Sequence, residues 1–138
     1  MAFQWLRMRI SEEQERRRRE ARIREMLPAA LEELHGTLTE CVSAYNAAFG
    51  ADTATIKLQP PWIRVDMCEP PVTLEIAAEP DIPGFDVRRA GQVVLIIEVG
   101  LLPGNRLSYR DRAADQYLDM EEVTRRILDR TLFPYLKD

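Results

Sequence analysis

The chain has 138 residues, 46% of them apolar and 30% charged, with a formal charge of −4. That length suits one domain with a single core, and that composition excludes a disordered chain. A mildly acidic protein is not drawn as a whole to nucleic acid or to an anionic membrane.

The first residues, Met-Ala-Phe-Gln-Trp-Leu-Arg, hold no apolar run of signal-peptide length. The longest apolar stretch, residues 93–97, is far too short to span a bilayer. A cytoplasmic location and no membrane partner are expected. The charge is unevenly spread: residues 1–27 hold eight Arg and five Glu, a net of +3, which leaves the rest of the −4 chain at about −7.

Ser11, with Gln14 three residues on, has the form of a capping box and predicts a helix start. Residues 12–25 then carry charge on nearly every side. Glu12, Glu13, Glu15 and Glu20 each precede an arginine by four residues, the favourable orientation for a helical ion pair. So polar a helix projects into solvent or meets a partner along a thin seam. Pro28 marks a boundary, since proline fits a helix's first position and removes a donor from its interior. From there Leu31, Leu34, Leu38, Cys41, Tyr45 and Ala48 recur at alternating steps of three and four, the stripe of a packed helix or a heptad seam. Leu27 extends the series backwards, so both pieces read as one rod that Pro28 would kink. Gly50 is the expected cap.

After residue 52 the period becomes two. Residues 53–59 alternate cleanly, and Pro60-Pro61 and Pro70-Pro71 bracket a second strand at 62–69. A third strand is read at 72–78 and a turn-rich connection at 79–84. Strands at 85–89 and 92–99 flank Ala90-Gly91, a hairpin signal. Because residues 93–97 are apolar at every position, that strand is expected inside the sheet and covered on both faces. Pro103-Gly104-Asn105 supplies turn chemistry, residues 106–110 read as one more short strand, and Asp119 caps a last helix that Pro134 stops.

The fold class expected is therefore α+β: an N-terminal helix, an antiparallel meander of five to six strands, and a C-terminal helix. Residues 1–27 form a charged extension and 28–138 a single domain, with the helices on one face of the sheet.

Signals of chemistry are weak. His35 is the only histidine and has no companion ligands, so no metal site is expected. Asp111, Asp115, Asp119, Glu121 and Glu122 cluster, but acidic residues belong in the first turn of a helix, and capping outweighs acid–base work. Neither cysteine sits in a redox or nucleophile motif, and no glycine pattern cradles phosphate. No catalytic residue and no cofactor is assigned. Arg16, Arg17, Arg18 and Arg19 suggest phosphate contacts, yet glutamates interleave with them and no aromatic lies among them to stack on bases. Arg88, Arg89, Arg106 and Arg110, joined by Arg112, make a second basic group that would form one anion patch if their strands pair.

A non-catalytic interaction or assembly module is therefore the expected function, forming a homodimer or other homo-oligomer through its N-terminal helices, with another protein as a further possible partner. The helical pattern over 12–49 would run about 57 Å, against an expected radius of gyration of about 14 Å for the body. The expected interface is Trp5, Leu6, Met8, Ile23, Leu27 and Leu31. Two other classes stand behind it: a nucleic-acid or anion-binding protein using either arginine group, and a small enzyme whose site has no known signature.

Overall fold

The computed structural model describes residues 2–137. Its first helix, α1, runs without interruption from Gln4–Phe49, 46 residues and about 69 Å long. The start expected at Ser11 is corrected: residues 4–10 lack β-branched runs, glycine and proline, apart from Ile10, and Ser11 lies inside the helix. Pro28 also lies inside it, so the helix continues where a boundary was expected.

Seven strands follow: β1 (Ala54–Gln59), β2 (Trp62–Cys68), β3 (Pro71–Glu79), β4 (Gly84–Arg89), β5 (Gln92–Leu102), β6 (Arg106–Asp111) and β7 (Gln116–Leu118). They form one antiparallel meander in chain order. The second helix, α2, is Met120–Leu132. The architecture is α+β as expected, with β7 as the additional strand. Three residues are too few for period two to announce a strand.

Turn chemistry sets the register. Pro60-Pro61 closes the β1–β2 hairpin, with Gln59 opposite Trp62. Ala90 and Gly91 both take positive φ, 52° and 80°, the geometry of a two-residue hairpin loop. At Gly84, a Cβ would run into the backbone carbonyl of Ile97 on the neighbouring strand. No residue other than glycine fits there.

One face of the sheet carries the core. Ile63, Val65, Leu74, Ile76, Phe85, Val87 and Ile97 are fully buried beneath Leu34 and Leu38 of α1 and Val123 and Ile127 of α2. The other face carries Lys57, Arg64, Glu75 and Arg88 in one cross-strand row, a solvated surface.

The expectation that β5 is covered on both faces is corrected. The strand is interior in the sheet order, but both helices lie on one side. Ile97 is fully buried, whereas Val93 and Val94 are 47% and 46% exposed. Between Val87 and Arg88 the register slips, because Val87 opposes Leu95 while Arg88 opposes Val93. This β-bulge reverses the alternation and turns Val93 to the open face.

Two clamps tie the helices to the sheet. The Asn46 side chain donates to the Ala54 carbonyl at 2.8 Å and accepts from the Ala54 amide at 2.9 Å, fixing where β1 leaves α1. The Arg89 Nε donates to Thr131 Oγ1 of α2 at 2.9 Å.

Candidate interaction site

Burial along α1 begins at Ile23. Residues 4–22 contain no buried position, so roughly 28 Å of helix stands clear of the body. The free end carries Phe3, Trp5, Leu6, Met8 and Ile10, all between 41% and 66% exposed. A cluster of large apolar side chains bared at one end is a candidate interaction surface.

Half of the expected interface is corrected. Ile23, Leu27 and Leu31 are 5%, 4% and 2% exposed and belong to the chain's own core. Beside them the β3–β4 connection meets the helix. Arg24 Nε donates to the Pro80 carbonyl at 2.7 Å, a contact 56 residues apart in sequence. Trp5, Leu6 and Met8 remain exposed. Where the connection meets α1, a notch of about 240 Å³ opens between Leu27, Pro28 and Leu31 on the helix and Pro60, Pro61 and Pro80 on the hairpin ends.

Between the apolar tip and the notch the arm is held by ion pairs. Glu13 bonds Arg16 at 2.6 Å, and Glu20 lies between Arg16 at 2.7 Å and Arg24 at 3.3 Å. The hydrogen bond from Arg16, outweighing partial desolvation, holds the Glu13 carboxyl below its ordinary range. Glu12 and Glu15 are corrected in partner: they reach Arg9 and Arg18 three residues away, not Arg16 and Arg19. Spacings of three and four are both open to a helical side chain. The run Arg16, Arg17, Arg18 and Arg19 is therefore interleaved with carboxylates, as its sequence implied.

The second basic group does not form one patch. Neighbours on a strand face opposite ways, so Arg89 points to α2 while Arg88 lies on the open face beside Glu75. Arg110 is engaged by Glu98 at 2.7 Å and Asp115 at 2.6 Å. Arg112 also reaches Glu98, at 3.5 Å. Arg106 stands at the far end of β6, opposite Leu102.

The acidic cluster is structural in its contacts. Asp119 accepts the Glu122 amide at 2.8 Å and caps α2. Asp111, 6% exposed, accepts Arg126 at 2.6 Å and the Ala113 and Ala114 amides at 3.1 and 3.3 Å. Among the described residues no group of three or more His, Cys, Asp or Glu is placed to hold a metal ion. His35 lies 3.4 Å from the Thr39 hydroxyl.

A second groove, about 520 Å³, runs between α1 and α2 and includes Cys41, Tyr45, Phe49 and Phe133. The rings of Tyr45, Phe49 and Phe133 meet along it in tilted and edge-on contacts at centroid distances of 4.8 to 6.4 Å. Burial pushes the Cys41 thiol above its ordinary value, helped by Glu40 and opposed by a bond to Thr124. A raised thiol is a poor nucleophile. Cys68 is exposed, its Sγ 3.3 Å from the Asp52 carbonyl.

The arm and the notch are the features that sequence reading reached only in part. The exposed tip was legible as an apolar cluster ahead of a charged helix. The notch was not, because it joins residues 24–32 to turns far along the chain. No protein family, curated protein or solved structure matches the chain. No described helix is long and apolar enough to cross a membrane.

Proposed function

We propose that the chain is a non-catalytic assembly module that self-associates through the projecting part of α1. The observation behind this reading is a helix of 46 residues whose first 19, residues 4–22, touch no core, yet end in five exposed large apolar side chains. An isolated helical arm is marginal in water unless something packs against it. A second copy supplies matching surface at no cost in partner specificity, because a twofold contact makes one patch complementary to itself. The weakness of every catalytic signal agrees with this: the carboxylates cap and bridge, and burial raises the Cys41 thiol above its ordinary value.

Light scattering on the full chain and on a Leu6→Glu, Ile10→Glu variant tests the reading. The native chain is expected to run as a dimer or larger assembly. The variant should be monomeric with helix content unchanged. A native chain that stays monomeric up to about 100 μM, where even micromolar self-affinity would show, sinks the proposal.

A further inference from the structure

We infer that the hollow between the β4–β5 hairpin and α2 binds a small, doubly charged oxyanion of the phosphate kind, gripped by Arg89 with Arg130 beside it. The inference is independent of the self-association proposed above. The hollow measures about 280 Å³. Four arginines line it, Arg89 from the end of β4 and Arg125, Arg126 and Arg130 from α2, and Val94 and Leu95 give it an apolar wall. Arg126 and Arg130 are four residues apart, on one side of their helix.

The charges lining this hollow do not balance, because only Asp111, Glu122 and Asp129 oppose the four arginines. Two of these carboxylates are already engaged. Asp111 accepts Arg126 at 2.6 Å, and Glu122 meets Arg126 at 3.4 Å and Arg125 at 3.8 Å. The third, Asp129, forms no ion pair with Arg89. Among the described residues no carboxylate does; the Arg89 guanidinium is held by a hydroxyl instead.

That hydroxyl fixes the direction of the fork. Thr131 is buried, and its Oγ1 accepts from Arg89 Nε at 2.9 Å, which leaves the two Nη groups as donors facing the hollow. Partial burial, with the positive charge of Arg130 added to it, pushes the half-buried Arg89 guanidinium below its ordinary value. A partly desolvated cation beside a second cation is unfavourable until an anion joins them. The planar guanidinium fork matches the oxygens of a phosphate. Two neighbouring cations suit a dianion better than a singly charged carboxylate. Arg125 and Arg130 are exposed, so the mouth of the hollow is open to solvent.

Titration of the full chain with inorganic phosphate, at an ionic strength held constant with sodium chloride, tests this through backbone amide NMR shifts. The Arg89, Arg130 and Thr131 signals should move together and saturate with a Kd of about 1 mM or tighter. Arg89→Gln should weaken binding at least about tenfold, as expected for a lost charged hydrogen bond. Arg88→Gln, on the open face of the sheet, should leave it unchanged. The same spectra report whether each variant is folded. If Arg89→Gln is not, Arg130→Gln, at an exposed helix position, should show the weakening in its place. Acetate should bind at least about tenfold more weakly than phosphate; an equal response to acetate overturns the dianion. Glycerol phosphate that binds as tightly as inorganic phosphate assigns the hollow to a phosphate group on a larger molecule, and binding of inorganic phosphate alone assigns it to the free ion. Shifts that do not saturate, or that persist undiminished in the folded variants of Arg89 and Arg130, overturn the inference.

Discussion

Ile97 and Val93 are four residues apart on β5, and strict alternation would put them on one face. The bulge separates them, leaving Ile97 fully buried and Val93 47% exposed. Ile97→Ala removes packed methylenes under two helices and should cost about 2–5 kcal/mol. Val93→Ala, on the open face, should stay within about 0.5–1 kcal/mol. Urea unfolding of both variants checks this, and equal losses would mean that the open face is covered after all. Tyr109 makes a pH prediction at the same scale. Burial, with a smaller contribution from Glu33, pushes its phenol from 10.0 up to about 12. The folded chain thus holds this proton more tightly than the unfolded one. Its contribution to stability is complete below about pH 10 and is lost as pH rises towards about 12. Between about pH 9 and pH 11 the urea midpoint of the native chain should fall further than that of Tyr109→Phe; parallel falls would show that the phenol is not held back.

At the scale of the element, α1 is unusual in running through a proline. An interior proline costs about 3 kcal/mol relative to alanine, through the lost donor and the clash with the preceding turn. Pro28 is exposed, so little packing is lost with its ring. Pro28→Ala should therefore stabilise the chain by about 1–3 kcal/mol, read as a higher Tm. A lower Tm would mean that the ring's place on the rim of the notch outweighs the backbone cost. The boundary expected at Pro28 is not observed, since α1 continues through it. Ile23, Leu27, Ala30 and Leu31 on both sides of it are buried in one core.

At the scale of the whole molecule, charge argues against nucleic acid. The chain carries −4, and the arm's Arg16, Arg18, Arg22 and Arg24 each pair with a glutamate. Binding to duplex DNA at physiological salt should be no tighter than about 10⁻⁴–10⁻⁶ M, the range of non-specific association. A fluorescence anisotropy titration checks this; sub-micromolar binding that is lost when Arg16, Arg17, Arg18 and Arg19 are changed to Gln would overturn it. The division of the molecule into a body and a bare arm is what makes assembly the better reading. The helices cover the apolar core face of the sheet, whereas the arm's apolar end stays exposed.

Local chemistry was readable directly from the residues. The proline pairs and Ala90-Gly91 set the hairpins, Asp119 announced α2, and the leucine stripe announced a packed helix. Each depends on neighbours within a few positions, so composition and spacing determine it. What the tertiary structure alone decided involves partners far apart in the chain. The slip beside Val87 depends on how β4 pairs with β5. The burial of Ile23 and Leu27 depends on elements far along the chain closing on α1. The dispersal of Arg88, Arg89, Arg106 and Arg110 depends on which face each strand position takes. Period and charge say which residues can share a surface, but only the closed chain shows which surfaces it has already used and which, as at the tip of α1, stay exposed.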